Sequence, residues 1–226
     1  MWSAPLWATV TNGDFSAGLT NWASTGSVST SASYTYSNPA GGTILPTAGT
    51  QVVELRTSGN IRRNALASFL GTTQQAINAL VPENAIRGSA IRTTFTGSGS
   101  VTFDWNMWTR DYPPYNDFSF VTLSGPGISG TQAQLLSSVT AFGGPNGTNG
   151  PSNGSGWNTT SLTLPGDGVY TIGFGTMNAV DNAFTSYFYV DNLQTTCVPE
   201  PSTAIAAFFA FGLVCWLPYR RRRPHI

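Results

Sequence analysis

The chain has 226 residues, with ten arginines and no lysine set against ten carboxylates, and only 9% of its side chains are charged. Six of those arginines (Arg56, Arg62, Arg63, Arg87, Arg92 and Arg110) precede residue 197, against nine carboxylates, and this mildly acidic balance argues against a nucleic-acid footprint. The only histidine, His225, and both cysteines, Cys197 and Cys215, fall in the last thirty residues, which excludes imidazole, thiol and lysine Schiff-base catalysis from the rest.

In chain order, Asn12, Gly13, Asp14 and Phe15, followed by Gly18, Leu19 and Trp22, open the first ordered stretch. Residues 51–55 alternate as a strand. A helical interlude follows at 64–70, with Ala65, Leu66 and Phe69 on one face, and a second at 73–80 after a break at Gly71. Period two returns at 91–95 and at 101–107, where Val101, Phe103, Trp105 and Met107 are apolar and Thr102, Asp104 and Asn106 polar. Trp108, Arg110, Asp111, Tyr112 and Tyr115 then form an aromatic loop stiffened by Pro113 and Pro114. Strands are predicted at 117–123, 169–174 and 184–193, and the Gly/Asn-rich stretch 142–157 is expected to be a mobile, exposed loop.

Many short antiparallel strands with few helices predict an all-β fold for residues 1–196, a jelly-roll β-sandwich with a short helical insertion. Trp105, Phe103, Phe120, Tyr170, Phe174 and Phe188 are the expected core aromatics. No repeat of 20–50 residues is present, which argues against a solenoid.

Residues 197–226 have a different character: a Pro-rich hinge at 197–202, an apolar stretch at 203–219 and a basic end at 220–226. As a helix, residues 202–217 would cover roughly 24 Å, short of the hydrocarbon core but able to span it with local thinning. Pro218 ends the run, and Trp216 and Tyr219 suit the polar boundary. Arg220, Arg221, Arg222 and Arg223 predict a cytoplasmic C-terminus, with the preceding domain across the membrane. Residues 1–8 lack the basic and apolar regions of a secretory signal, so the true start is expected upstream.

With Val198, Pro199, Glu200 and Pro201 ahead of the apolar run and the arginine block behind it, this tail resembles the PEP-CTERM sorting signal, also catalogued as an ice-binding-protein C-terminal segment. The resemblance implies recognition by an exosortase, cleavage near the hinge, and delivery to the cell surface or extracellular matrix. Residues 12–22, together with Val190, Asp191, Asn192 and Leu193, are similar to the opening and closing segments of carbohydrate-binding jelly rolls. The middle of the chain, from residues 67–71 through 88–91 to 103–106 and 116–120, looks like a group of PEP-CTERM surface proteins.

The jelly-roll resemblance implies a structural Ca²⁺ held by Asp14 and Asp191, with Ser16 standing where relatives carry a carboxylate. The alternative is an Asx-turn at Asp14 and a loop backbone bonded by Asp191. Asp111, Asp117 and Asp181 form a second cluster that could converge at one end of the sandwich. For sugar, Trp108, Arg110, Asp111, Tyr112 and Tyr115 combine stacking rings with polar handles; the alternative is that the rings cover the sandwich edge. Nothing in the spacing of Glu54, Glu83, Asp104, Asp111, Asp117, Asp167 and Asp181 selects a catalytic pair. The expectation is therefore a non-catalytic protein with polysaccharide, exosortase and membrane as partners. A carbohydrate-active hydrolase and an adhesin without a small ligand are the alternatives.

Overall fold

The computed structural model describes residues 10–36, 42–142 and 153–196. The expected sorting tail at 197–226 and most of the Gly/Asn-rich loop lie outside the described residues.

Two long strands organise the fold. β1 (Ala23–Thr25), β2 (Ser27–Ser31), β3 (Tyr34–Tyr36), β4 (Gly42–Ile44), β5 (Val52–Arg56) and β6 (Ile61–Arg62) come first, followed by helices α1 (Arg63–Leu70) and α2 (Gln74–Asn78). Then come β7 (Ala85–Thr109), β8 (Phe118–Ser124), β9 (Gln132–Ser138), β10 (Asn153–Gly154), β11 (Asn158–Ala179) and β12 (Tyr187–Thr196). β7 and β11 pair antiparallel from Ala85↔Ala179 to Trp105↔Asn158, with two irregularities, one where Gly97–Gly99 face Leu164–Gly168 and one between Met177 and Ala179.

That ladder is folded back on itself. Phe103 pairs with Thr160, whereas Phe174 pairs with Ile91, twelve positions earlier on β7. A flat ladder at about 3.3 Å per residue would hold these rings roughly 40 Å apart. Their centroids lie 4.8 Å apart at 73°. Both strands therefore turn a corner, at Gly99 (φ 76°) and Gly168 (φ 153°), in backbone conformations that a side chain would strain. The first half of β7 and the second half of β11 make one layer, flanked by β1 and β6 on one side and by β8 and β9 on the other. The remaining halves make the second layer, continued through β12 and β5 to β2. The result is a β-sandwich.

Its interior follows from period two. Ile91, Phe95, Val101, Phe103, Trp105 and Met107 of β7 meet Ile172 and Phe174 of β11, Val121 and Leu123 of β8, Phe188 and Val190 of β12, and Val53 and Leu55 of β5 in one buried cluster. All six expected core aromatics are buried, although Phe120 faces the helices instead. The outer face of the first layer carries α1 and α2, through Leu66, Ala67, Leu70 and Ile77 against Phe118, Phe120 and Met177. Close approach there needs glycine: a Cβ on Gly173 would lie 2.5 Å from Leu70 Cδ2, and one on Gly175 2.5 Å from Phe120 Cζ. The buried helix face is thus Leu66, Ala67 and Leu70, not the predicted Ala65, Leu66 and Phe69. Ala65 is exposed, and half-buried Phe69 lies under the Arg92 guanidinium at 5.0 Å. Thr73 caps α2 by accepting the Ala76 N–H at 3.1 Å, and Gly71 ends α1 at φ 69°.

Candidate functional site

At one end of the sandwich five strands, β5, β7, β8, β11 and β12, change chemistry at the same level. Moving outward by two residues, Leu55 gives way to Thr57, Ile91 to Ser89, Met107 to Thr109, Val121 to Ser119, Phe174 to Thr176 and Phe188 to Ser186, all of them buried. The apolar interior is closed by a sheet of hydroxyls. They bond to one another and to the backbone: Thr109 Oγ1 to Ser186 Oγ at 2.5 Å, Ser119 Oγ to Thr176 Oγ1 at 3.1 Å, and Ser186 N to Thr57 Oγ1 at 2.9 Å. Ser89 Oγ donates to the Arg56 carbonyl at 2.5 Å.

Two carboxyl groups sit on this layer. Asp117 Oδ2 accepts the Ser186 hydroxyl at 2.6 Å and Oδ1 accepts the Ala179 N–H at 3.0 Å. Asp111, 1% exposed, places its own N–H on Thr109 Oγ1 at 2.9 Å; neither of its carboxylate oxygens has a donor in full hydrogen-bond geometry, and the nearby Tyr112 N–H only partly offsets its burial. The Asp117 carboxyl beside it can donate only when protonated. Burial, and then the Asp181 charge, pushes Asp111 up to about 6, and burial pushes Asp117 well above the carboxylate range. Of the three acids expected to converge, Asp111 and Asp117 meet here, while Asp181 acts on Asp111 only through its charge and accepts the Ala183 N–H at 3.0 Å.

Above the acids lies the loop 110–117. Buried Asn116 clamps it by donating to Glu83 Oε2 at 2.9 Å and accepting from the Thr140 N–H and hydroxyl at 3.0 Å each. Tyr112 and Tyr115 are half-buried and meet edge to face, with centroids 5.4 Å apart at 87°. Phe184, 40% exposed, adds a third ring 6.5 Å from Tyr112, and Arg110, at the start of the loop, is exposed. Phe184 lies in a different predicted element, so only the meeting of the two loops adds it to the site.

Trp108 does not belong to this loop. It stays within β7, 6% exposed, on the outer face of the second layer, where it packs with Val52, Tyr189 and the Tyr187 ring at 5.4 Å. That face holds a buried charge the sequence did not single out: Glu54 accepts Arg56 Nε and the Tyr189 hydroxyl, each at 2.6 Å. Arg56 in turn lies 5.5 Å over the Tyr187 ring.

Asp14 and Asp191 each have protein donors. Asp14 takes the Ser16 N–H at 3.2 Å and its hydroxyl at 2.8 Å, an Asx-type turn. Asp191, fully buried, takes the N–H groups of Thr47 at 2.6 Å, Ala48 at 3.0 Å and Asn192 at 2.8 Å. Among the described residues no three carboxylate, imidazole or thiol side chains come together as a metal-binding group. Also among the described residues, no helix is long and apolar enough to cross a membrane.

A larger cleft of about 850 Å³ opens between the β8–β9 hairpin and the start of β11, lined among others by Leu123, Ile128, Gln134, Leu162 and Thr163. It holds no aromatic ring, whereas the loop end presents three.

No protein-family model and no curated protein matches the sequence. Solved structures of similar shape include TmCBM61 in complex with β-1,4-galactotriose, at 9% identity and TM-score 0.43, over 82% of this chain and 94% of that one. Another is the family 11 carbohydrate-binding module from Clostridium thermocellum with a mixed-linked tetrasaccharide, at 12% identity and TM-score 0.32, over 85% and 97%. A third is the K3 cleaved adhesin domain of Lys-gingipain from Porphyromonas gingivalis, at 14% identity and TM-score 0.39, over 84% and 100%. Likeness this loose carries no functional argument.

Proposed function

We propose that this chain is an exported, non-catalytic surface or matrix protein of the jelly-roll type that binds polysaccharide through the loop end of its sandwich. The observation that carries the reading is the ring cluster of Tyr112, Tyr115 and Phe184 at the hydroxyl-layered end, with exposed Arg110 opening the same loop. Rings of this kind stack on the apolar face of a pyranose, and a guanidinium bonds its hydroxyls. The carboxyl groups beneath favour binding over hydrolysis. A glycosidase needs two carboxyls separated across an open cleft, whereas Asp111 and Asp117 are buried against each other. The double variant Tyr112→Ala/Phe184→Ala is expected to lose glycan-array signal while keeping the wild-type melting curve. A folded wild-type domain that binds no glycan would refute the reading.

Export rests on the tail. The order of hinge, apolar run and arginine block supports membrane insertion and exosortase processing during sorting, ahead of release to the exterior. Deleting residues 197–226 is expected to shift the protein away from the envelope and surface fractions of the cell. An unchanged distribution would remove the sorting role.

A further inference from the structure

We infer that a shallow depression at the start of α1, formed by Arg62, Arg63 and Arg87, binds the acidic groups of an anionic polysaccharide, a site separate from the ring cluster. Its use by a polysaccharide rests on the reading above; the site itself rests on its own geometry. The depression, about 450 Å³, is lined by these three arginines with Asn64, Gln74, Ala85 and Ile86. Half of the arginines that precede the tail meet there, and no carboxylate joins the lining.

Four features point to an absent anion. Arg62 and Arg87 stand directly opposite each other in the β6–β7 register, where like charges repel. Neither is paired: the one salt bridge among the described residues is Arg56 with Glu54. Arg63 is fixed in place by Nη1 bonds to Asn78 Oδ1 at 2.8 Å and the Ala85 carbonyl at 3.0 Å, while its buried Nε has no acceptor. Finally, α1 opens here with no side-chain cap, so its first N–H groups and the positive end of its dipole face the same place. Asn60 Oδ1 accepts from Arg87 and holds that guanidinium at the rim.

A carboxylate, sulfate or phosphate would neutralise the opposed pair and supply acceptors for planar guanidinium donors. A polymer bearing such groups at intervals would engage it while other sugar units reach elsewhere on the domain. The chemistry does not favour nucleic acid, since the domain as a whole is mildly acidic.

Affinity electrophoresis of the domain in gels containing polygalacturonate, dextran sulfate or neutral dextran tests this. Wild type is expected to be retarded by one or both acidic polymers, less so as salt is raised, and the two acidic gels separate carboxylate from sulfate preference. Arg62→Gln/Arg87→Gln should weaken that retardation about tenfold without lowering the melting temperature, because the change relieves like-charge opposition. Arg63 is left intact, as it ties α1 to Asn78 and Ala85. Retardation that persists in the double variant, or that is lost instead in Tyr112→Ala/Phe184→Ala, overturns the arginine site and leaves the polysaccharide reading standing. Wild type bound only by neutral glycans does the same. Wild type bound by no glycan of either kind overturns both.

Discussion

Phe174→Ala is expected to cost the domain about 3–5 kcal/mol, the range for a fully buried phenylalanine whose cavity cannot close. For a domain of this length that corresponds to a fall in Tm of roughly 10 °C, or a matching shift of the urea midpoint at unchanged slope. Phe174 has no exposed surface, meets Phe103 edge to face at 4.8 Å, and lies 6.2 Å from Trp22, which rests on Phe15 at 4.8 Å. It joins the two layers to the N-terminal segment that covers them. Val169→Ala, on the same strand but at a side chain 63% exposed, should change stability by no more than about 0.5 kcal/mol. The contrast tests the architecture itself. If Phe174→Ala cost as little as Val169→Ala, the ladder could not be folded over as described, since an open ladder would leave Phe174 far from Phe103.

Period two was enough to foresee a sandwich and its inward-facing rings, because buried positions alternate wherever a strand has one dry face. It did not reveal that 91–95 and 101–107 are one strand. Gly97, Ser98 and Gly99 look like a loop in the sequence, whereas here glycine bends a strand without ending its pairing. Ser27–Ser31 and Gln132–Ser138 passed unread for another reason: they are edge strands, little buried over most of their length and spelled in Ser, Thr and Gln. The loop end was half legible. Asp111 and Asp117 could be expected to meet, and the hydroxyl layer is written as Leu-x-Thr, Ser-x-Ile, Met-x-Thr, Ser-x-Val, Phe-x-Thr and Ser-x-Phe steps, a regularity apparent only once the strands are set side by side. Trp108 was assigned to the loop because aromatic residues follow it closely. Its place in β7, one residue after inward-facing Met107, puts it on the outer face of the layer. The arginine depression had no local signal at all: Arg62 and Arg87 are separated by both helices and become neighbours only through the β6–β7 register.

The stability of the domain is expected to fall as pH rises from about 3.8 through about 6, and Asp111→Asn to remove much of that fall. Burial, then the Asp181 charge, raises Asp111 from 3.8 to about 6. A carboxyl raised in this way holds its proton more tightly folded than unfolded. Its contribution is therefore complete below the unfolded value and is lost as pH climbs through the folded one. That loss belongs to Asp111 and Asp117 as a pair sharing one proton. Asp117 is raised too, chiefly by burial, so it acts in the same direction. Glu54 and Asp191, likewise raised by burial, add slopes of the same sign elsewhere. Asp14, lowered by the Ser16 hydroxyl, opposes them, as does Asp104, where bonds from Thr159 and Asn192 outweigh burial. Asparagine at 111 keeps the shape, carries no charge, and offers an amide N–H₂ to the Asp117 carboxylate. Urea midpoints of both proteins on either side of this interval separate the pair from the rest of the domain. The variant should come closest to wild type below about pH 3.8 and exceed it above about pH 6. Parallel profiles would mean that Asp111 does not bear the strain its burial implies, and that water or an ion reaches its carboxylate in solution.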